Sequence, residues 1–169
     1  MAIADLPDKR IPLQSISQFS REMAMARIDN FCPILIRRIM TAPRIFIADD
    51  DINICTLFGR ILKAKQCDVH YAQSVSEALN VLAHSSFDVY LLDYRLQDGT
   101  GLEVANYLRG EACKAPIILI SGYYTDDVQP AVKMLNVFRV LKKPFTFQMI
   151  CTIVGQALEE GPVRQVPSG

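Results

Sequence analysis

Val89-Tyr90-Leu91-Leu92-Asp93 is an apolar run that closes on one carboxylate, and Tyr94-Arg95-Leu96-Gln97-Asp98-Gly99-Thr100-Gly101 follows it. A short apolar run bounded by turn residues reads as a buried strand, which places Asp93 where a strand's carboxyl end opens into a loop. In open α/β sheets, ligands bind along that edge. A lone aspartate there is most simply the start of a turn. A chemical role for Asp93 therefore depends on what else reaches the same edge.

Outward from this run, strand and helix patterns alternate from Arg44 onward. Ile45-Phe46-Ile47-Ala48 runs into Asp49-Asp50-Asp51, and Ile54, Leu57, Phe58, Ile61 and Leu62 then recur at helical spacing. Val69 to Ala72 reads as a second strand, and Ser74-Val75-Ser76-Glu77 as a capping-box start for a helix with Ala78, Leu79 and Leu82 inward. After Asp88 to Asp93, Leu102, Ala105 and Leu108 mark a third helix that Gly110 should end. Pro116 introduces Ile117-Ile118-Leu119-Ile120-Ser121, the plainest buried strand. A fourth helix is expected to start around Thr125 to Asp127, because Pro130 is tolerated only near a first turn. Val137 to Leu141 is a fifth strand leading to Lys142-Lys143-Pro144, and Met149, Ile150, Ile153, Val154 and Ala157 stripe a last helix. Such alternation predicts an α/β fold with a parallel sheet covered on both faces.

The chemistry follows from the residues that end the strands. Parallel strands point the same way, so Asp49, Asp50, Asp93, Ser121 and Lys143 gather on one edge although they are far apart in sequence. Three carboxylates held close raise one another's pKa unless a cation joins them. A hard divalent ion with oxygen ligands, Mg²⁺ retaining several waters, resolves that conflict. The same ion can draw in a phosphoryl group, with Lys143 pairing the remaining charge and Ser121 offering a hydroxyl donor. The set points to an aspartate nucleophile that takes phosphate as an acyl phosphate.

With these residues in place, the chain resembles the response regulator receiver domain of two-component signalling, in the manner of single-domain chemotaxis regulators. The segments IFIADDD, DVYLLDYRLQDGTG, PIILISG and VLKKPF carry the resemblance, in order, across residues 44–158. It implies a flavodoxin-like (βα)5 three-layer sandwich whose parallel sheet has the order 2-1-3-4-5. It implies that Asp93 is phosphorylated, that Asp49, Asp50 and the backbone carbonyl of Arg95 join Asp93 in holding Mg²⁺, and that Ser121 and Lys143 contact the phosphoryl group. Lys142 does not match the family's lysine, which directly precedes the proline, and Gly122 matches the small residue the family carries beside its hydroxyl. Two positions depart from the pattern. Val140 stands where many relatives have an aromatic switch residue, with Phe138 the nearest aromatic, and Arg95 and Tyr123 flank the site with larger side chains than many relatives carry.

The resemblance further implies a histidine kinase or histidine phosphotransfer protein as phosphoryl donor. The downstream protein, of unknown identity, would be met through the fourth helix, fifth strand and fifth helix. The expected protein is a stand-alone cytoplasmic receiver, a monomer or weak homodimer, with no catalysis beyond its own phosphorylation and slow dephosphorylation. A chain of 169 residues, 50% apolar and 21% charged, is long enough for one real core. Eighteen basic residues against eighteen acidic ones leave no field to draw it onto nucleic acid, and no apolar run reaches membrane-spanning length. Cys32, Cys55, Cys67, Cys113 and Cys151 are scattered without a C-x-x-C pair, which reads as buried free thiols in a reducing compartment.

Residues 1–43 read as an N-terminal extension that is disordered, partly helical or not translated at all, since Met40 opens directly into the first strand pattern. Residues 159–169 read as a flexible tail, too short for a DNA-binding output domain. Asp51 reads as a helix N-terminal acid, His70 and His84 as ordinary strand and surface histidines, and Asp98-Gly99 as a turn. Two other functions stand beside the phosphoacceptor. One is a haloacid-dehalogenase-type phosphatase with Asp49 as nucleophile, on the loose match of Asp49-Asp50-Asp51-Ile52 to its D-x-D motif; the other is a receiver-shaped interaction module that signals without phosphate.

Overall fold

The chain alternates strand and helix as its apolar periodicity dictates, and the computed structural model describes residues 42–122 and 128–161. Strands β1 (Arg44–Ala48), β2 (Asp68–Ala72), β3 (Val89–Asp93), β4 (Ile117–Ser121) and β5 (Arg139–Lys142) form one five-stranded sheet. All its pairings are parallel, and the strand order is β2-β1-β3-β4-β5. Helices α1 (Ile52–Lys63), α2 (Val75–Leu82), α3 (Gly101–Gly110) and α4 (Gln129–Met134) fill the four crossovers, and α5 (Phe147–Glu160) follows the last strand. A two-residue antiparallel ladder, Arg95–Leu96 against Gly99–Thr100, folds the loop after β3 back on itself. This is the flavodoxin-like architecture.

Two apolar layers hold the sheet. Phe46, Tyr90, Leu92, Ile117 and Leu119 face α2, α3 and the surroundings of α4, while Ile45, Ile47, Leu91, Ile118 and Ile120 face α1 and α5. β3 and β4 are buried along their whole length because both faces are covered, and each such Leu or Ile contributes about 1.5–3 kcal/mol. The helix starts are made by side chains. Asp51 Oδ1 accepts from the Asn53 N–H at 2.8 Å, Ser74 Oγ from the Glu77 N–H at 3.1 Å, and Thr146 Oγ1 from the Met149 N–H at 3.3 Å. The capping box read at Ser74 is present in a shifted form, with the Glu77 carboxylate accepting from the Gln73 N–H at 2.8 Å.

Some expectations shift in position. Leu57 and Met149 are exposed; the inward face of α1 is Cys55, Phe58, Gly59 and Leu62, and that of α5 is Ile150, Val154 and Ala157. α4 starts at Gln129 with Pro130 in its first turn, as proline requires; the expected start at Thr125 to Asp127 lies outside the described residues. Gly110 remains helical, and the backbone turns left-handed at Ala112 instead. Of the five cysteines, Cys55 is buried, Cys67, Cys113 and Cys151 are half-buried, all four are free, and Cys32 lies outside the described residues.

Arg109 joins two of the loops at the far edge of the sheet. Its guanidinium donates to the carbonyls of Leu135 (2.7 Å), Cys113 (2.6 Å), Ala115 (3.1 Å) and Asn136 (3.1 Å), using the planar fork that lysine lacks.

Candidate functional site

The order of the strands creates the site. Chain direction across the sheet reverses between β1 and β3, so the loops leaving these neighbours diverge and open a crevice at their carboxyl ends. β1 runs into Asp49 and Asp50, and β3 ends on Asp93. One carboxylate oxygen from each of the three lies within 4.8 Å of the others. From β5, Lys143 Nζ reaches Asp93 Oδ2 at 3.0 Å and Asp49 Oδ2 at 3.6 Å. Its backbone is held to the end of β4, the Lys143 N–H donating to the Ser121 carbonyl at 2.8 Å. Asp93, Tyr94, Arg95, Ser121, Gly122 and Lys143 line a cavity of about 200 Å³ over the carboxyl end of β3.

Burial sets the electrostatics. Asp49 is 1% exposed, and loss of water pushes its carboxyl up to about 6; Asp93 and Asp50 add to the rise, while the Asp51 N–H and Lys143 oppose it. Asp93 is also pushed up, mainly by burial, against the hydrogen bond and charge of Lys143. For Lys143, burial pulls the ammonium down, but Asp93 and Asp49 outweigh it and hold it above its ordinary value. Asp49 Oδ1 accepts from the Asp51 N–H at 3.0 Å, whereas the buried Asp49 Oδ2 has no hydrogen-bond donor among the described residues, only the Lys143 ammonium 3.6 Å away. A buried carboxylate oxygen in that state is costly unless a cation completes it. An all-oxygen donor set in which one buried oxygen is only distantly paired with an ammonium fits a hard divalent ion.

The residues named from the sequence thus fall on one edge: Asp49, Asp50, Asp93 and Lys143 in direct proximity, Ser121 and Arg95 on the cavity wall. Lys142 is exposed, as its mismatch suggests, and Tyr123 lies outside the described residues. Val140 packs with the layer that faces α4, whereas Phe138 packs with the α1 and α5 layer under the Arg139 guanidinium, 5.7 Å from its ring. Phe138 therefore does not replace an aromatic at position 140. Asp51 caps α1, and the rings of His70 and His84 bond to Asp68 and the Asn80 carbonyl, away from the site.

Sequence reading missed several residues around the site. Cys55 donates its thiol to the Asp49 carbonyl at 3.4 Å, and burial pushes the thiol up to about 12. Asp98 does more than turn the chain: its carboxylate accepts from the Val75 and Ser76 N–H groups at the start of α2. The Ser76 hydroxyl first, and then the Ser76 and Val75 N–H groups, hold Asp98 below the usual carboxylate range. Gly101 brings α3 against the end of β3.

Comparison with known proteins gives one consistent result. Residues 45–155 match the family model of the response regulator receiver domain. The response regulator protein PilR of Pseudomonas aeruginosa is 30% identical over 131 residues, a stretch covering 73% of this chain and 29% of PilR. The chain thus spans less than a third of that relative's length. A CheY-like receiver domain protein from Methanospirillum hungatei superimposes with a TM-score of 0.68 at 22% identity, covering 71% of this chain and 96% of its own. The response regulator TrrA of Thermotoga maritima, solved in complex with Mg²⁺-BeF, does so with a TM-score of 0.60 at 27% identity, covering 69% of this chain and 99% of its own.

Proposed function

Because the chain belongs to the response regulator receiver family, whose members are phosphoacceptor modules of two-component signalling, we propose that Asp93 accepts a phosphoryl group and that the phosphorylated chain signals by protein contact. The observation that carries this reading is the convergence of Asp93 with Asp49, Asp50 and Lys143 around a buried carboxylate oxygen that lacks a hydrogen-bond donor among the described residues.

In the proposed step, an Asp93 oxygen attacks phosphorus and forms the P–O bond of an acyl phosphate. The P–N bond to an imidazole of a histidine kinase or histidine phosphotransfer protein breaks, and the nitrogen keeps the electron pair. Asp49, Asp50, Asp93 and the Arg95 carbonyl would hold Mg²⁺, which supplies charge neutralisation for the nucleophile and the incoming phosphoryl oxygens. Lys143, now paired with Asp93, would transfer its pairing to a phosphoryl oxygen, and the Ser121 hydroxyl would donate to another. The phosphoryl charge then biases the surface of α4, β5 and α5 by favouring one arrangement over another. Met134 on α4 and Phe147 and Met149 on α5 are exposed apolar side chains, which suits a docking face. Val140 calls for a route to that face without an aromatic swing at its position. No helix among the described residues is long and apolar enough to cross a membrane. A monomer or weak homodimer working in the cytoplasm completes the proposal.

The test is labelling with acetyl phosphate and Mg²⁺, read as an acid-stable, base-labile adduct by intact mass. The wild type and an Asp50→Ala control at high Mg²⁺ should be labelled, and Asp93→Asn should not. If labelling survives Asp93→Asn and is lost in Asp49→Asn, the nucleophile is Asp49 and the phosphatase-type chemistry is the correct one.

A further inference from the structure

The candidate site meets its ligands through two loops, one after β1 carrying Asp49 and Asp50 and one after β3 carrying Arg95. Both are tied to the short stretch that leads from β2 into the first turn of α2. On one side, Gln73 Nε2 donates to the Asp50 carbonyl at 3.2 Å, and the Asp49 N–H donates to the Ala72 carbonyl at 3.2 Å. On the other side, the Gln97 N–H donates to the Gln73 carbonyl at 3.3 Å. The Asp98 carboxylate takes the Val75 N–H with one oxygen and the Ser76 N–H, at 3.0 Å, with the other. Glu77 closes the turn by accepting from the Gln73 N–H at 2.8 Å. Residues 72–77 therefore hydrogen-bond to both loops, which lie more than forty positions apart in sequence.

The simple account of Asp98 is helix capping. Capping explains stability, but it does not explain why the cap of α2 comes from the loop after the candidate phosphoacceptor rather than from α2's own approach, where Ser74 already caps the Glu77 N–H. Resting on the receiver reading of the site, we propose that Gln73 and Asp98 are positioning residues: they hold the Asp50 and Arg95 loops at the spacing that a divalent cation needs. Because coupling is reciprocal, a cation bound between those loops stiffens the first turn of α2. Groups that orient metal ligands commonly change affinity 10–100-fold when removed. Each residue here acts through the backbone of one loop, so the lower end, about 10-fold, is the expected loss.

The experiment is Mg²⁺ titration of the full chain by calorimetry, with acetyl-phosphate labelling and ¹⁵N amide spectra alongside. Gln73→Leu and Asp98→Ala should each weaken Mg²⁺ about 10-fold. Asp98→Asn, which keeps one acceptor, should recover part of the loss. Labelling should be slow at low Mg²⁺ and return to the wild-type rate at saturating Mg²⁺, a split that a purely structural cap would not produce. In the wild type, Mg²⁺ should shift the Val75, Ser76 and Gln97 amides and leave His84 and Ser85, beyond the other end of α2, in place. If the wild type binds Mg²⁺ and both variants bind within two-fold of it, the inference falls while the receiver reading stands. Val75 and Ser76 amides that stay put while the loop after β1 responds overturn it equally, even if Asp98→Ala does not fold. A wild type that binds no Mg²⁺ and takes no label removes the inference and the receiver reading together.

Discussion

A β-carbon at Gly101 would run into the carbonyl oxygen of Asp93 and sit 3.1 Å from the Leu92 β-carbon. The Gly101 N–H meanwhile donates to the Tyr94 carbonyl at 3.1 Å, so the first residue of α3 cannot simply step back. Gly101→Ala must move either α3 or the end of β3. The expected result is a loss of about 1–3 kcal/mol in urea unfolding, together with slower acetyl-phosphate labelling of Asp93. Unchanged unfolding would mean that the helix can slide without cost. Gly122 behaves differently, since a β-carbon there meets nothing within 4 Å among the described residues, so packing against them does not require its smallness. This contrast shows what the sequence could reveal at this scale. Asp49, Asp50, Asp93, Ser121 and Lys143 were legible because each follows an apolar run, and the parallel sheet then sends them to one edge. Gly101 was not, because its role lies in a backbone approach that no periodicity encodes. Asp98 was not, because its hydrogen bonds span 22 and 23 positions while its nearest neighbours spell a turn.

At the scale of elements, the helix ends carry the lesson. α1, α3 and α4 each stop on a left-handed residue that is not glycine: Gln66 (φ 62), Ala112 (φ 55) and Asn136 (φ 48). Each end has the same pair of closing bonds. After α3, for example, the Cys113 N–H donates to Leu108 at 2.9 Å and the Ala112 N–H to Arg109 at 3.1 Å. The sequence signal pointed two residues too early, to Gly110, since glycine is the usual left-handed residue at a helix end. The tertiary structure overrides that preference, because Arg109 fixes where the chain must turn by gripping the carbonyls of Cys113 and Ala115. Two substitutions separate the readings. Ala112→Gly should raise the unfolding free energy by about 0.5–1 kcal/mol, the left-handed penalty of alanine less the added freedom of the unfolded chain. Gly110→Ala should also stabilise, by up to about 1 kcal/mol, because Gly110 is helical and a β-carbon there meets nothing within 4 Å among the described residues. Destabilisation by Gly110→Ala would put the left-handed turn back where the sequence suggested. The same limit explains α1 and α5: helical spacing marked a stripe, but only the tilt of the helix on the sheet decided that Cys55 faces inward and Leu57 outward.

For the whole molecule, the buried acids make the site a cost to the fold that a cation can remove. Asp49 is held near 6 and Asp93 also above its ordinary value, so across the interval from about 4 to 6 the folded chain binds more protons than the unfolded one. By linkage, their contribution to stability then falls as pH rises through that interval, and the full penalty is present at neutral pH. The other shifted groups near the site act elsewhere. Lys143 is raised, so its contribution is complete below 10.5 and fades only as pH climbs through its higher folded value. Asp98 is lowered, so its contribution is complete above 3.8 and fades only in stronger acid. Around pH 6 the site's pH dependence therefore belongs chiefly to Asp49. A cation needs Asp49 and Asp93 ionised, so Mg²⁺ and protons compete for the same oxygens. At a hundredfold excess over its dissociation constant, Mg²⁺ should stabilise the fold by about 2.7 kcal/mol at pH 7.5, visible as a rise in Tm. At pH 5 the same Mg²⁺ concentration should give a much smaller rise, and the metal-free protein should lose less stability to its own site. Asp49→Asn should remove most of this pH dependence, raising metal-free stability at pH 7.5 while abolishing the response to Mg²⁺. Equal Mg²⁺-induced shifts in Tm at pH 5 and pH 7.5 would show that the ion binds away from Asp49.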